Sequence, residues 1–139
     1  MPLRRPDSSD WFQYMQPRFL PGFEATVDRV IYSPELPAPP DQRHPFVYYI
    51  TIRNGSDRTV TVKGRKWVVR GESGHVTAVE GDGVVGCFPR LEPGDHFSYN
   101  SYHTTSGRAL AEGAYLAVTD DGDPVMALIP AFELLPPFE

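Results

Sequence analysis

Gly81-Asp82-Gly83-Val84-Val85-Gly86, followed at once by Cys87-Phe88-Pro89-Arg90, separates an α/β chain from an all-β one. The first six residues have the form G-x-G-x-x-G. A dinucleotide fingerprint of that form needs a strand before it, a helix after it and an acidic residue about 20 positions on, inside a βαβ unit. The phosphate of such a site rests on amides at the helix N-terminus. Pro89 cannot continue a helix, and no helical period follows it to the end of the chain. The α/β reading therefore fails. The three glycines read first as a loop that needs them for backbone shape.

Working outward, the flanking segments alternate with a period of two. Phe46 to Arg53 sets Phe46, Tyr48, Ile50 and Ile52 on one face and Val47, Tyr49, Thr51 and Arg53 on the other. Bulk on both faces predicts a central strand. Asn54-Gly55 then predicts a hairpin, with Thr59 to Val62 and Lys66 to Arg70 returning and Gly64 at a bulge. Earlier, Phe23 to Tyr32 predicts a first strand with Phe23, Ala25, Val27 and Ile31 inward; Arg29 marks it as an edge. Pro34, Pro37, Pro39, Pro40 and Pro45 make the intervening segment a stiff extended loop.

Downstream, His75 to Val79 predicts a short strand, and Glu92-Pro93-Gly94-Asp95 has the residues of a type II turn. His96 to Tyr102 predicts a strand with Phe97 and Tyr99 on one face, followed by a polar loop from Thr104 to Gly107. Ala114 to Thr119, with Leu116 and Val118 inward, the turn Asp120 to Asp123, and a last strand Pro124 to Phe132 complete the pattern. Seven to eight short antiparallel strands with turns about every ten residues predict an all-β sandwich of the fibronectin-III or immunoglobulin-like kind.

The chain has 139 residues and a formal net charge of −5. That length suits one domain, here residues 22–139, and suffices for a core without staples. Residues 1–21 form an N-terminal extension in which Trp11, Tyr14 and Met15 share the face of a short helix. The acidic balance gives no reason to expect nucleic acid. No run of about 18 apolar residues exists to span a membrane. Arg4 and Arg5 are not followed by a signal-peptide core, so the cytoplasm is the expected location. A lone cysteine, Cys87, excludes an internal disulfide and any cysteine-rich zinc site.

From about Phe46 to Phe132 the chain resembles the ApaG family. The resemblance rests on Ile52-Arg53-Asn54, on Trp67 behind basic residues, and on Glu80 through Gly86. It continues in Leu91-Glu92-Pro93-Gly94, Thr105-Ser106-Gly107, Glu112-Gly113-Ala114-Tyr115 and Ile129-Pro130-Ala131-Phe132. It implies a fibronectin-III-like sandwich. In bacteria it implies an association with cobalt tolerance and magnesium efflux. In eukaryotes, similar domains in F-box adaptors and a polymerase-associated protein imply protein binding. No agreed catalytic residues come with it. Where the family usually has Ser-Arg-His-Trp, this chain has Gly64-Arg65-Lys66-Trp67, so one candidate metal ligand is absent.

The residues themselves offer few chemical constellations. His44, His75, His96 and His103 form no close-spaced pair and read as scattered surface side chains, giving no metal site. Asp120-Asp121-Gly122-Asp123 lacks the alternating ligands of a calcium loop and reads as a hairpin turn. Cys87 has no neighbour to activate it and reads as buried or inert. Ser106 sits in no nucleophile elbow. The expectation is a non-enzymatic binding module, without a cofactor, whose partner is a protein. Homodimerisation through a sheet edge is a further possibility. The alternative is an anion site: the amides of Gly81, Gly83 and Gly86 as a nest, charge from Arg65, Lys66 and Arg90, and a phosphate-containing small molecule, with or without a divalent cation, as ligand.

Overall fold

Phe46, Tyr48, Ile50 and Ile52 do point the same way, and each is at most 4% exposed. Around them the computed structural model describes residues 15–137. Its strands are β1 (Arg18–Phe19), β2 (Phe23–Tyr32), β3 (His44–Asn54), β4 (Val60–Gly71), β5 (Val76–Asp82), β6 (Arg90–Leu91), β7 (His96–Thr105), β8 (Ala109–Thr119) and β9 (Pro124–Leu134). The larger sheet has the order β1-β9-β8-β4-β5, with β6 also pairing β4; the smaller has β2-β3-β7. The two open sheets pack as a sandwich, as the alternation predicts. Seven strands are long. The two short ones add little, and β1 is parallel to β9 rather than antiparallel. No helix among the described residues is long and apolar enough to cross a membrane. The N-terminal helix expected around Trp11 and Tyr14 lies outside the described residues.

The core fills the space between the sheets. β3 contributes its four inward side chains. Val60, Val62 and Trp67 come from β4, Ala111, Tyr115 and Ala117 from β8, and Val125, Ala127 and Ile129 from β9. At roughly 1.5–3 kcal/mol for each large apolar side chain removed from water, this layer dominates the stability.

Four local expectations are corrected. In β2 the register shifts between Val27 and Arg29, so Asp28 is a bulge residue. The extra residue flips the strand's phase, and Val30 and Tyr32 pack against the core in place of Ile31. Asn54-Gly55 is not a hairpin turn, because β3 and β4 belong to different sheets. Asn54 is instead a buried staple: Nδ2 donates to Arg58 O (2.6 Å) and Leu91 O (2.9 Å), and Oδ1 accepts from the Ser56 amide (3.1 Å). Gly55 N–H donates to Gly22 O at 2.7 Å. In β8 it is Tyr115 and Ala117 that enter the main core, while Leu116, also buried, lies on the other face. Finally, β7 runs on to Thr105 and β8 begins at Ala109, so His103 and the first half of the expected Thr104–Gly107 loop are strand.

Other expectations hold. The bulge expected in β4 is present but falls on Lys63, one residue before Gly64, which keeps its place in the ladder opposite Leu116. Gly94 has φ +92 and Asp95 N–H closes the turn onto Glu92 O at 2.9 Å, as a type II turn requires. β3 is central and β2 is an edge.

Candidate functional site

Pairing between β4 and β5 places Arg65 opposite Gly81, Trp67 opposite Val79 and Val69 opposite Thr77. Alternation puts all six on the inner face of the larger sheet. β7 stands across from β4 and β8. Its Tyr99 hydroxyl is hydrogen-bonded to that of Tyr115, and the His103 ring lies 4.6 Å from Trp67, edge to face. Tyr48 completes the cluster, 4.7 Å from the His103 ring and 4.9 Å from Trp67. Beyond this point the larger sheet extends one strand further, and β5 has no strand of the smaller sheet opposite it. The result is a cleft of about 300 Å³. Its lining includes Arg65, Trp67, Thr77, Val79, Ser101 and His103, and Gln42 from the proline-rich loop closes one end. Tyr102 and Thr104 tether that loop through bonds to Pro37 O (3.2 Å) and Gln42 Oε1 (3.0 Å).

Burial sets the chemistry here. Desolvation pushes His103 down to about 4, so its imidazole is neutral at ordinary pH. Its Nε2 and the Trp67 Nε1 are buried without a hydrogen-bond partner among the described residues. Desolvation also raises Tyr48, an effect eased by Ser101 and the charge of Arg65. Tyr99 and Tyr115 are raised further, again chiefly by burial. These hydroxyls are neutral donors and acceptors, not nucleophiles. A second hollow of about 380 Å³ lies between Phe19–Ala25 and Ala127–Leu128; among the described residues that line it, Glu24 is the one ionisable side chain.

The glycine stretch sits at the other end of β5. Gly81 is a strand residue over which the Arg65 guanidinium lies; a Cβ there would meet Nη1 at 2.7 Å. Arg65 Nη1 donates to Asp82 O (2.9 Å) and Gly83 O (3.2 Å). Gly83 N–H donates to Lys63 O, and Val84 and Cys87 exchange two backbone bonds of 2.8 Å. Val85 and Gly86, at φ 44 and 80, are thus the two central residues of a tight hairpin turn of type I′ character. Val84 is fully buried and fixes the hairpin to the core.

Of the proposed anion residues, the structure therefore brings Arg65 to Gly81 and Gly83. The other two cations turn elsewhere. Lys66 Nζ is 3.6 Å from Glu80 Oε1, and Arg90 reaches Glu92 (3.2 Å) and Asp120 (2.9 Å). The amides of Gly83, Val84 and Cys87 are already engaged. Cys87 is exposed rather than buried. Asp120 to Asp123 forms the β8–β9 hairpin turn, with Gly122 at φ +88 and Arg58 bound to Asp121 (2.8 Å) and Asp123 (2.7 Å). No three His, Cys, Asp or Glu side chains among the described residues could hold a metal ion. His75 and His96 are exposed, and His44 is hydrogen-bonded to Tyr32 through Nδ1 at 2.9 Å.

His103 is the functional residue that the sequence pattern places on the surface, because a strand ending at Tyr102 leaves it outside β7. The signal was present: Phe97, Tyr99, Ser101, His103 and Thr105 keep a period of two to the end of β7.

Comparison with known proteins agrees with this architecture. The family model described as the ApaG domain matches residues 34–119. The Protein ApaG of Ralstonia nicotianae is 38% identical over 117 residues, covering 83% of this chain and 94% of that protein. That of Acidithiobacillus ferrooxidans is 37% identical over 109 residues, covering 74% and 82%. A solved structure assigned to ApaA of Bordetella pertussis superposes with a TM-score of 0.73 at 30% identity, covering 88% of this chain and all of that one. A matching model over most of the β-sandwich, together with these relatives, shows that the chain belongs to the ApaG family.

Proposed function

We propose that this protein is a non-enzymatic binding module and that the cleft between β5 and β7 receives a segment of a partner protein. The observation that carries the reading is the cleft itself. A neutral histidine, two buried aromatic rings, an arginine and several hydroxyl or amide groups converge on it. Aromatic side chains with a polar tip and arginine are the residue types that anchor interfaces. Among the described lining residues no activated nucleophile is paired with a base: burial raises Tyr48 and keeps its hydroxyl protonated, and His103 Nε2 has no hydrogen-bond partner there. A role in cobalt or magnesium homeostasis would, on this reading, be exercised through the partner, in the cytoplasm.

The phosphate reading has less to recommend it. Lys66 and Arg90 face carboxylates, and the amides of Gly83, Val84 and Cys87 are already bonded within the hairpin. One titration compares the two. Peptides selected from a random library against the full chain, and separately pyrophosphate with and without magnesium, are added while amide shifts are followed by NMR. Saturable shifts at Thr77, Val79 and His103 with peptide support the cleft. Shifts confined to Gly81, Gly83 and Gly86 with pyrophosphate would replace it by the anion site.

A further inference from the structure

We infer that the bound segment enters as a β-strand, pairing with the free edge of β7 and covering the inner face of β5. The inference rests on the cleft being the binding site. Its own evidence is the contrast between edges. β2, one edge of the smaller sheet, carries the Asp28 bulge and the charges of Glu24 and Arg29. β5, the edge of the larger sheet, carries Glu80 and Asp82. Bulges and charges of this kind keep an edge from pairing with a stranger. β7 has neither. Its sequence, His-Phe-Ser-Tyr-Asn-Ser-Tyr-His-Thr-Thr, contains no proline, glycine, carboxylate, lysine or arginine. Its register against β3 is unbroken over ten pairs. Alternate peptide groups of such a strand point away from its one neighbour. No backbone bond outside β3 involves β7 among the described residues.

The opposite wall supplies the second half of the argument. Among the described residues β5 is the only long strand with no buried residue, and Val79 is 44% exposed on the face that looks into the cleft. One more strand beside β7 would lie over β5 as β7 lies over β4. The larger sheet's overhang also settles what kind of strand fits. Antiparallel pairing of β7 with its own copy needs a two-fold axis perpendicular to the sheet. The copy's β4 would then lie beneath its β7, in the space that β5 fills. A lone extended segment meets no such obstacle. Its side chains facing in would alternate, as in other strand additions, between the Val79 and Thr77 surface of β5 and the Arg65 end. Arg65 forms no ion pair among the described residues, so an acidic side chain or a terminal carboxylate belongs at that end of the segment.

The test uses the full chain and a ten-residue peptide selected from the random library, with single N-methyl groups walked along its backbone. Strand addition predicts that methylation at every second residue lowers affinity by about tenfold or more and that the intervening sites tolerate it. It also predicts that alternate β7 amides gain hydrogen-exchange protection. Val79→Glu should abolish binding, and Arg65→Gln should weaken peptides with an acidic residue at that end. A peptide that binds in the cleft with no alternation overturns strand addition and leaves the binding module standing. A complete absence of saturable peptides overturns both. Concentration-dependent protection of β7 without peptide, from self-pairing, would also refute the inference.

Discussion

His103 offers a direct measurement of how dry the cleft is. Its imidazole is packed between Tyr48 and Trp67, and burial alone pushes it from the ordinary 6.5 down to about 4. In the unfolded chain it regains the ordinary value. Between those two values the unfolded state binds the proton and the folded state does not, so stability must fall as pH falls through that window and be level above it. With these end points the loss is about 2 kcal/mol between pH ~7.5 and pH ~5, and about 3 kcal/mol by pH ~4. Carboxylates contribute their own slope below about pH 5, so the informative quantity is a difference between proteins. Urea unfolding, followed by far-ultraviolet circular dichroism at several pH values, would be run on the wild type and on His103→Gln. The variant lacks the titrating group, whatever its stability at neutral pH. The two stability curves should converge by about 2 kcal/mol on acidification from pH ~7.5 to pH ~5. Parallel curves would mean that His103 titrates normally, that water reaches it, and that the cleft is not the desolvated site described above.

Three other expectations follow from single residues. Val85 is β-branched at φ 44, a conformation that costs a non-glycine residue about 1–3 kcal/mol, so Val85→Asn should raise the unfolding free energy by about 1 kcal/mol in denaturant titration. Asn54→Ala removes two donated bonds and one accepted backbone bond from a side chain 1% exposed; a loss of about 3 kcal/mol is expected, and a loss under about 1 kcal/mol would refute the staple. Tyr99 and Tyr115 are raised above the unfolded value of 10.0, so stability should decline as pH rises past that value; Tyr115→Phe should flatten the decline in base-unfolding curves.

The layer structure was legible because period-two alternation is a local signal. Phe46 to Ile52 and Pro124 to Phe132 needed no tertiary information to be read as strands. What escaped reading was non-local. Asn54-Gly55 carries the chemistry of a hairpin, yet three of its partners, Gly22, Asp95 and Leu91, lie far off in sequence and draw the chain into the other sheet. The inward parity of β8 is ambiguous in the sequence because both faces are apolar; in the fold Tyr115 joins the core and meets Tyr99, while Leu116 is buried on the other face. The bulge at Asp28 leaves no composition signal, so the phase change that buries Val30 and Tyr32 could not be anticipated. As for the site, the sequence led to the glycines, whereas the cleft depends on one sheet being wider than the other. Strand order sets that width, and no local pattern records it.

The glycine stretch and the cleft are nevertheless one piece of construction. Gly81 has no side chain, and the Arg65 guanidinium occupies the space a Cβ would need. Gly83 passes the chain back toward Lys63 and Cys87, and Gly86 shares the positive-φ turn with Val85. Fully buried Val84 ties this hairpin to the core. Each glycine thus answers a different backbone requirement, and together they fix the carbonyls of Asp82 and Gly83 that hold Arg65 at the end of the cleft. A functional effect of the stretch should therefore run through Arg65. Gly81→Ala sets a methyl group against a flexible guanidinium, which can move aside, so the fold should survive with the arginine displaced. Binding of an acidic peptide should fall in Gly81→Ala to the level of Arg65→Gln, and the double variant should be no weaker than either single one. Additive losses in that cycle would separate the glycines from the arginine and restore an independent role for the loop.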